Sequence, residues 1–343
     1  MSAFRTFAST LATHLATIVS ATAFAASVGA CGTDAPGPGV TASTGPYFSE
    51  AMFFNQDVSG EAKAANSDQI IGSLRAAGGW GNRDAFTIDF SFSVLTATPD
   101  TVVMRTFTPN EYFKSPDCDM VEVPVPIGGH VEGESTYRCE GDGDCHLIVH
   151  DPAAGKLYEM WRADIRSSLQ FSGGCLAVWD VKDKFDETLR GDQCTSADAA
   201  GLPIAPLLFN ADEVAAGEID HAIRFILPND RVRQGFVRPA THGAYTSGLQ
   251  GAPHYGVHLR LRADYPVESL PTQGARVVAR ALQKFGMYHA DGGEYALTAT
   301  SDRFTTAKWA GLLGAQDLSA LNVEDFEVID HGKSYELSND CTR

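Results

Sequence analysis

Short apolar segments rich in β-branched and aromatic residues limit the possible folds of this chain more than any other feature. They include FTIDFSFSVL, CHLIVHD, CLAVWDV and GVHLRLRADY, and they are bounded by Gly, Pro, Asn or Asp. Segments of this length between turn-forming residues are typical of β-strands. In GVHLRLRADY the apolar residues Val257, Leu259 and Leu261 alternate with polar ones, which predicts a strand with one buried face.

Helical patterns are fewer. Apolar residues recur at helical spacing in PTQGARVVARALQKFGM (271–287), where Gly286 predicts the end of a helix, and a second helix is predicted in NSDQIIGSLRAAGG (66–79). Strand and helix patterns do not alternate regularly, so a Rossmann-like or α/β-barrel fold is not expected. We predict a mainly β fold: a large antiparallel β-sandwich or jelly roll with one or two packed α-helices.

The N-terminus has the pattern of an export signal. Arg5 is the only charged residue before a long run of small and apolar residues in 1–30, and no acidic residue precedes Asp34. The run ends in VGAC, which resembles the lipobox of bacterial lipoproteins, although cleavage after AFA also fits a signal peptide. We expect a signal peptide (1–30), a flexible Gly/Pro/Ser/Thr tether (31–50) and a single β-rich domain (51–343).

Cysteine usage favours the lipoprotein. The chain has seven cysteines, and lipidation of Cys31 leaves six for three disulfides. Among the possible pairs, Cys175–Cys194 is the one most expected. We therefore expect a monomer that is lipid-anchored at the cell envelope through Cys31, or otherwise secreted. The net charge of −17 disfavours binding to nucleic acid or to anionic lipid surfaces.

The familiar catalytic and cofactor motifs are missing from the sequence. It contains neither G-x-S-x-G nor a phosphate-binding glycine loop nor H-E-x-x-H, and paired cysteines leave no thiol nucleophile. His146 and His150 lie four residues apart on a predicted strand, a span of roughly 13 Å that is too long for one metal ion. We therefore expect no metal and no cofactor, and a site built from carboxylates and histidines.

The first candidate site is the predicted hairpin CHLIVHDPAAGKLYEMW (145–161). Strand alternation places His146 and Ile148 on one face, and pairing across the turn brings Glu159 opposite Ile148 and Trp161 opposite His146. A carboxylate between an imidazole and an indole suits a sugar-binding cleft, because the ring stacks on sugar C–H faces and the acid exchanges protons. The structural alternative is an ordinary half-solvated sheet face.

The second candidate is GDQCTSADAAGLPIAPLLFNADEV (191–214). Thr195 and Asp198 have the spacing of a reciprocal helix N-cap, and Gly201 would then end a single helical turn. This structural interpretation leaves Asp192 and Ser196 unexplained. A rigid loop lining a site, with Asp198 as a catalytic carboxylate, is the alternative.

A third group follows in EVAAGEIDHAIRF (213–225). Arg224 lies between apolar residues on a predicted strand, so it must pair with a carboxylate such as Glu218 or Asp198, or with substrate. His221 precedes it on the same strand, and His242 follows on a loop. These side chains would orient the substrate or tune the catalytic acids.

Three motifs carry a resemblance to known sequences. TSADAAGLPI, VAAGEIDHAIRF and ARVVARALQKFGMYHADGG resemble segments of a group of exported bacterial proteins, over about residues 51–335. In that group a tryptophan or another bulky residue often stands at the position of Cys194, so a disulfide there would be particular to this branch. The resemblance implies an autonomous extracellular domain and brings no activity with it.

Together these patterns predict a protein that acts on polysaccharides or oligosaccharides. The first hypothesis is a glycoside hydrolase with Glu159 as one catalytic carboxylate and Asp198 or Asp180 as the other. His221 and His242 would assist them.

Four further residues are expected to bind substrate: His146, Trp161, Trp179 and Arg224. The alternatives are a polysaccharide lyase, in which Arg224 neutralises a uronate, and a non-catalytic glycan-binding or envelope lipoprotein.

Overall fold

The computed structural model describes residues 40–81, 83–141, 143–338 and 340–343. The expected signal peptide, the lipidation site Cys31 and the first part of the tether lie outside these residues. The described part of the chain is mainly β, as predicted.

Its three α-helices are α1 (Ser67–Ala76), α2 (Ala211–Ala216) and α3 (Gln273–Lys284). Its strands are β1 (Ile88–Phe92), β2 (Val94–Thr96), β3 (Val102–Arg105), β4 (Thr108–Pro109), β5 (Val123–Pro126), β6 (Leu147–Asp151), β7 (Lys156–Met160), β8 (Asp164–Ser167), β9 (Gln170–Gly173), β10 (Leu176–Asp180), β11 (Ile223–Leu227), β12 (Phe236–Val237), β13 (His258–Leu261), β14 (Met287–Gly292), β15 (Ala296–Thr300), β16 (Phe326–Val328) and β17 (Ser334–Tyr335).

Two larger sheets organise the fold. One has six strands in the order β1-β15-β11-β14-β13-β16, and the other has four in the order β10-β7-β6-β2. Of three small sheets, one pairs β3 with β5, one pairs β12 with β17, and the third has β9 between β4 and β8. The pairing is mixed rather than purely antiparallel, because β1 runs parallel to β15, β11 to β14 and β2 to β6.

The four-stranded sheet is buried on both faces. Ile148 and Trp179 belong to the main core together with Phe225 of the six-stranded sheet. Leu147 and Val149, whose side chains alternate with Ile148, belong to a second core formed with the small sheets. A sheet covered on both faces needs apolar residues at consecutive positions, which explains the unbroken apolar run of β6.

Two of the three helices, α1 and α3, lie where the sequence predicts them, and the short α2 is additional. The hydroxyl of Thr272 caps α3 by accepting a hydrogen bond from the Ala275 amide at 3.2 Å. Val278 and Leu282 on one face of α3 are completely buried. No helix among the described residues has the length and apolar character needed to cross a membrane.

The chain is already packed before residue 51. Val40 and Phe48 are buried, and the Ser43 amide donates a hydrogen bond to the carbonyl of Val94 in β2. The expected tether of 31–50 therefore extends too far, because residues 40–50 belong to the folded part. Although Gly, Ser and Thr dominate this segment, its few apolar side chains are enough to pack it against the rest of the fold.

Three disulfides join six cysteines: Cys118–Cys175, Cys139–Cys145 and Cys194–Cys341. The number is as predicted, but the expected pair Cys175–Cys194 is wrong. The C-terminal segment forms a β-bridge between Asp192 and Thr342. This bridge brings the distant Cys341 to Cys194, a contact that spacing alone does not reveal. Three disulfides are typical of an oxidising compartment.

Candidate functional site

Asp198 is fully buried in an ion pair with Arg224. Its two carboxylate oxygens accept hydrogen bonds from Nε and Nη2 of Arg224, both at 2.9 Å, and the exposed fractions of the two side chains are 0% and 3%. Asp198 is therefore not a helix cap, and it is not open to substrate as a catalytic acid. The turn is held instead by the hydroxyls of Thr195 and Ser196, which donate to the Asp198 carbonyl.

Glu159 is also inaccessible, so its prediction as a catalytic carboxylate is wrong. Its carboxylate accepts hydrogen bonds from the amides of Ile204 and Ala205 at 2.9 Å and 2.7 Å, and from Nε1 of Trp179 at 2.9 Å. The residue has no exposed surface. Burial raises the pKa of Glu159 to about 7, although these three donors act in the opposite direction. Through these hydrogen bonds, Glu159 holds the 204–205 turn against the four-stranded sheet.

Trp179 and Asp180 do not form a substrate surface either. Trp179 has no exposed surface and packs edge-on against Phe48 and Phe185. Asp180 is partly exposed and pairs with Lys156 at 2.6 Å, and the hydrogen bond from Lys156 lowers the pKa of Asp180. It lies outside the cleft described below.

The predicted hairpin register is correct, although its two ends have different roles. Ile148 lies opposite Glu159, as expected. His146 and Trp161 continue this register beyond the strand ends, and both side chains face a cleft that Glu159 does not reach.

Of the two assisting histidines, only His242 lines this cleft. His221 lines a different cavity beside α2, where its Nε2 lies 3.3 Å from the Glu213 carboxylate. Burial alone would lower the pKa of His221, but the hydrogen bond and charge of Glu213 raise it.

The floor of the cleft is one face of the six-stranded sheet. Four adjacent strands contribute Asp89 from β1, Thr298 from β15, Arg224 from β11 and Asp291 from β14. Asp89 and Thr298 are direct partners across β1 and β15. The hydroxyl of Thr298 donates to the Arg224 carbonyl at 3.2 Å. The regular pairing of these strands fixes the positions of the polar side chains.

A β-bulge places Asp291 on this face. Phe225 pairs with His289, but the next residue of β11, Ile226, pairs with Asp291, so one residue of β14 is left over. Without the extra residue, strand alternation would point Asp291 to the opposite face. The bulge instead brings its carboxylate to 3.5 Å from Nη2 of Arg224.

The opposite wall comes from the 129–146 segment that precedes β6. Glu132 accepts a hydrogen bond from Nδ1 of His146 at 2.6 Å and from the Ser91 hydroxyl at 3.1 Å. The Ser91 hydroxyl also lies 2.8 Å from Asp89, so this one hydroxyl connects two carboxyl groups. Asp144 accepts a hydrogen bond from Nε1 of Trp161 at 2.8 Å.

The carboxyl groups of the cleft differ in their pKa values. Burial, together with the charges of Asp198 and Asp144, raises the pKa of Asp291 to about 7. Burial also raises the pKa of Asp89. Burial acts in the same direction on Glu132, but the charge and hydrogen bond of His146 outweigh it and lower the pKa of Glu132. One carboxyl group that keeps its proton near neutral pH therefore shares a cleft with one that is ionised.

His146 is the cation that keeps Glu132 ionised. Burial alone would lower the pKa of His146, but the charge and hydrogen bond of Glu132 raise it to about 9. The other ring nitrogen, Nε2, lies 3.1 Å from the Ala197 carbonyl. Both ring nitrogens face acceptors, an arrangement that suits the doubly protonated imidazolium.

The cleft has two connected parts. The acidic lobe, about 280 Å³, is lined by Asp89, Glu132, Asp144, His146, Arg224 and Asp291 among others. The aromatic lobe, about 420 Å³, is lined by Tyr112, Trp161, His242, Tyr245 and Tyr255 among others. Asp144, Asp291 and Gly292 belong to both lobes. Asp291 therefore stands where the polar part of the cleft meets its aromatic part.

Sequence reasoning missed the carboxyl groups that do face the cleft. Asp291 lies near the end of a strand in MYHADGG and precedes two glycines, which is a detectable signal for a polar residue at a strand end. Asp89, Glu132 and Asp144 have no comparable signal, because they come from a strand and a long irregular segment whose proximity depends on the tertiary fold.

Comparisons with known proteins add no further assignment. No protein-family model, curated protein or solved structure matches this chain. Among the residues that the structure describes, no group of three or more His, Cys, Asp or Glu side chains is arranged to hold a metal ion.

Proposed function

We propose that the protein is an exported glycan-cleaving enzyme, a glycoside hydrolase, whose catalytic groups are Asp291 and Glu132. The observation that carries this proposal is that one cleft holds two carboxyl groups in opposite surroundings: Glu132 is bonded to His146 at 2.6 Å, which lowers its pKa, whereas burial and the nearby charge of Asp198 raise the pKa of Asp291. Glycosidic hydrolysis uses a carboxylic acid to protonate the leaving oxygen and a carboxylate as base or nucleophile. Asp291 is suited to the first role and Glu132 to the second.

Each catalytic group has its own support in the fold. Asp198 and burial keep the proton on Asp291, while Arg224 at 3.5 Å holds the side chain in place. His146 and Ser91 fix the two oxygens of Glu132. Preorganisation of this kind reduces the reorganisation needed in the transition state.

The aromatic lobe supports a sugar as the substrate. Trp161 is half-buried, with Tyr112 at a ring-centroid distance of 5.0 Å, and Tyr245 on the rim is 69% exposed. Aromatic faces stack on the C–H faces of sugar rings, while the hydroxyls bond to carboxylates and amides. The hydrogen bond from Trp161 to Asp144 links this stacking surface to the acidic lobe.

The two alternatives are less well supported. A lyase needs a cation to neutralise a uronate, but Arg224 is already compensated by Asp198, and the cleft is lined by further acids. A purely glycan-binding protein has no need of carboxyl groups with opposite pKa shifts in a concave site. The acids that line the cleft would repel a carboxylate on the substrate, so they favour hydrolysis of a glycan that carries no carboxylates.

The substitution Asp291→Asn tests the assignment. We expect it to lower the hydrolysis rate at least about 100-fold, because Asn keeps the size of the side chain but has no acidic proton to transfer to the leaving oxygen. Asp180→Asn is the matched control, since Asp180 is a paired surface acid outside the cleft. The assay measures reducing ends released from a polysaccharide panel by the exported protein. Full activity of Asp291→Asn, or cleavage of no glycan in the panel, would refute the proposal.

We also propose that Cys31 anchors the protein by lipidation. The six other cysteines of the chain form disulfides, so Cys31 is the one left for this modification. Intact mass of the membrane fraction is expected to show a diacylglycerol-modified chain that begins at residue 31. A soluble mature form beginning at residue 26 would contradict this.

A further inference from the structure

The acidic lobe contains more negative than positive groups. It is lined by four carboxyl groups and two cations: Asp89, Glu132, Asp144, Asp291, His146 and Arg224. Both cations already have close partners, since Arg224 binds Asp198 beneath the floor and His146 binds Glu132. Among the described residues, the carboxylates of Asp89 and Asp144 accept hydrogen bonds from uncharged donors, Ser91 and Trp161 respectively. The lobe therefore keeps negative charge that the protein itself does not neutralise.

The pKa values show the mutual repulsion of these groups. After burial, the largest effects that raise the pKa of Asp291 are the charges of Asp198 and Asp144. The charge of Glu132 acts in the same direction on Asp89. A positive charge beside Asp89 would relieve the repulsion from Glu132 and favour the ionised form of Asp89. A cationic ligand bound between Asp89 and Asp144 would therefore gain free energy from these two carboxylates, without requiring Asp291 to lose its proton.

An independent feature at the edge of the lobe also indicates a ligand. Tyr255 is completely buried and lines the aromatic lobe, and its hydroxyl makes no hydrogen bond to any described residue. The hydroxyl lies close to Gly292, which both lobes share, at 3.2 Å from the position that a Cβ would occupy there. A buried hydroxyl without a partner is unfavourable, so we expect a ligand in the cleft to bond to it.

The cation that fits is organic rather than a metal ion. The described acids and histidines are not grouped as a metal ligand set, and the lobe opens directly into the aromatic surface around Trp161. A sugar that carries an ammonium group combines the two requirements: positive charge at one ring position and C–H faces that stack on an indole.

We propose that the acidic lobe binds the protonated amine of an amino sugar, between Asp89 and Asp144, while the adjoining sugar unit lies in the aromatic lobe. The proposal rests on the proposed glycosidase function and specifies its substrate class as a glycan with free amino groups. A negative lobe also explains how an acidic exported protein could discriminate among glycans that have similar backbones. Acetylation of the amine would remove the charge and with it the preference.

Three trisaccharides test this directly: β-1,4-linked triglucosamine, its N-acetylated counterpart and cellotriose. They share one backbone and differ only in the group at C2. Binding to the exported protein is measured at pH 6 by calorimetry and by the fluorescence change expected from Trp161. We expect triglucosamine to bind at least tenfold more tightly than the other two, which corresponds to about 1.4 kcal/mol.

The variants Asp89→Asn and Asp144→Asn should each reduce this preference at least threefold. The control Asp183→Asn removes one exposed acidic charge that does not line the cleft, and it should keep the preference. Equal binding of the three trisaccharides, or a preference unchanged in both cleft variants, would overturn the inference while leaving the glycosidase proposal intact. No binding of any trisaccharide would overturn it as well. The polysaccharide panel with Asp291→Asn then decides separately whether the protein is a glycosidase.

Discussion

The buried ion pair between Asp198 and Arg224 gives the sharpest test of the structure. The substitution Asp198→Asn keeps the size of the side chain but removes its charge. If Asp198 were only a helix cap, the change would cost no more than about 1 kcal/mol. In the structure it leaves the Arg224 guanidinium, which is 3% exposed, without its main counter-charge.

The expected cost is several times larger. Breaking a buried ion pair by removing one partner typically costs about 3–5 kcal/mol, because the remaining charge stays buried. Asp291, at 3.5 Å from Nη2 of Arg224, can replace part of the lost interaction. We therefore expect the lower end of this range, a decrease of about 3 kcal/mol in the free energy of unfolding.

Urea unfolding with the disulfides intact measures this change. With an m-value of about 3 kcal/mol/M, the midpoint should fall by about 1 M. The matched control is Asp192→Asn in the same segment. Asp192 binds Arg238 at 2.8 Å, but its side chain is 45% exposed, so its loss should cost less than about 1 kcal/mol. Equal midpoints for the two variants would refute the buried-pair reasoning.

The same substitution has a second, independent consequence for the cleft. Asp198 raises the pKa of Asp291, so its neutralisation should lower that pKa below about 7, and Arg224 becomes free to interact more strongly with Asp291. As the proposed general acid, Asp291 must be protonated to act. The alkaline limb of the pH–activity profile should therefore move to lower pH in Asp198→Asn, and a profile unchanged from wild type would contradict the coupling.

Three further variants separate structural from catalytic roles. Glu159→Gln should lower the free energy of unfolding by about 2–3 kcal/mol, because the amide group of Gln cannot accept bonds from all three donors. Activity per folded molecule should remain unchanged. Urea unfolding measures the first effect and the reducing-end assay measures the second. Replacing Cys139 and Cys145 by Ser opens a loop of only six residues and should cost about 2 kcal/mol, whereas replacing Cys194 and Cys341, 147 residues apart, should cost about 5 kcal/mol. Activity should fall more when Cys139 and Cys145 are replaced, because Asp144 lies within that short loop. Equal losses of activity in the two disulfide variants would contradict the role of Asp144 in the cleft.

The elements predicted correctly are those that local periodicity determines. The 3.6-residue spacing of Val278 and Leu282 was enough to locate α3, and alternation across the DPAAG turn was enough to pair Ile148 with Glu159. These patterns depend on neighbours a few residues away. They reveal which residues form an element, but they do not reveal which face of it is covered by the rest of the chain.

The site could not be predicted for that reason. Glu159 is a charged residue on a strand beside an ordinary hairpin turn, as many exposed residues are, but the 204–205 turn covers its face of the sheet and supplies backbone donors. Asp291 reaches the cleft through a bulge that shifts the alternation of β14 by one residue. Periodicity assumes that such a shift does not occur, so it assigns Asp291 to the wrong face.

The position of the ion pair suggests why a costly arrangement is kept in the core. A buried Arg–Asp pair is often no more stabilising than apolar residues of the same volume, so stability alone does not account for it. Arg224 forms part of the cleft floor, and Asp198 lies directly behind it. The pair therefore places a fixed dipole under Asp291, with the positive end holding the carboxyl group in position and the negative end helping to keep it protonated. An apolar replacement such as Leu for both residues should preserve the fold and remove this control, so that stability is retained while the alkaline limb of the pH–activity profile moves.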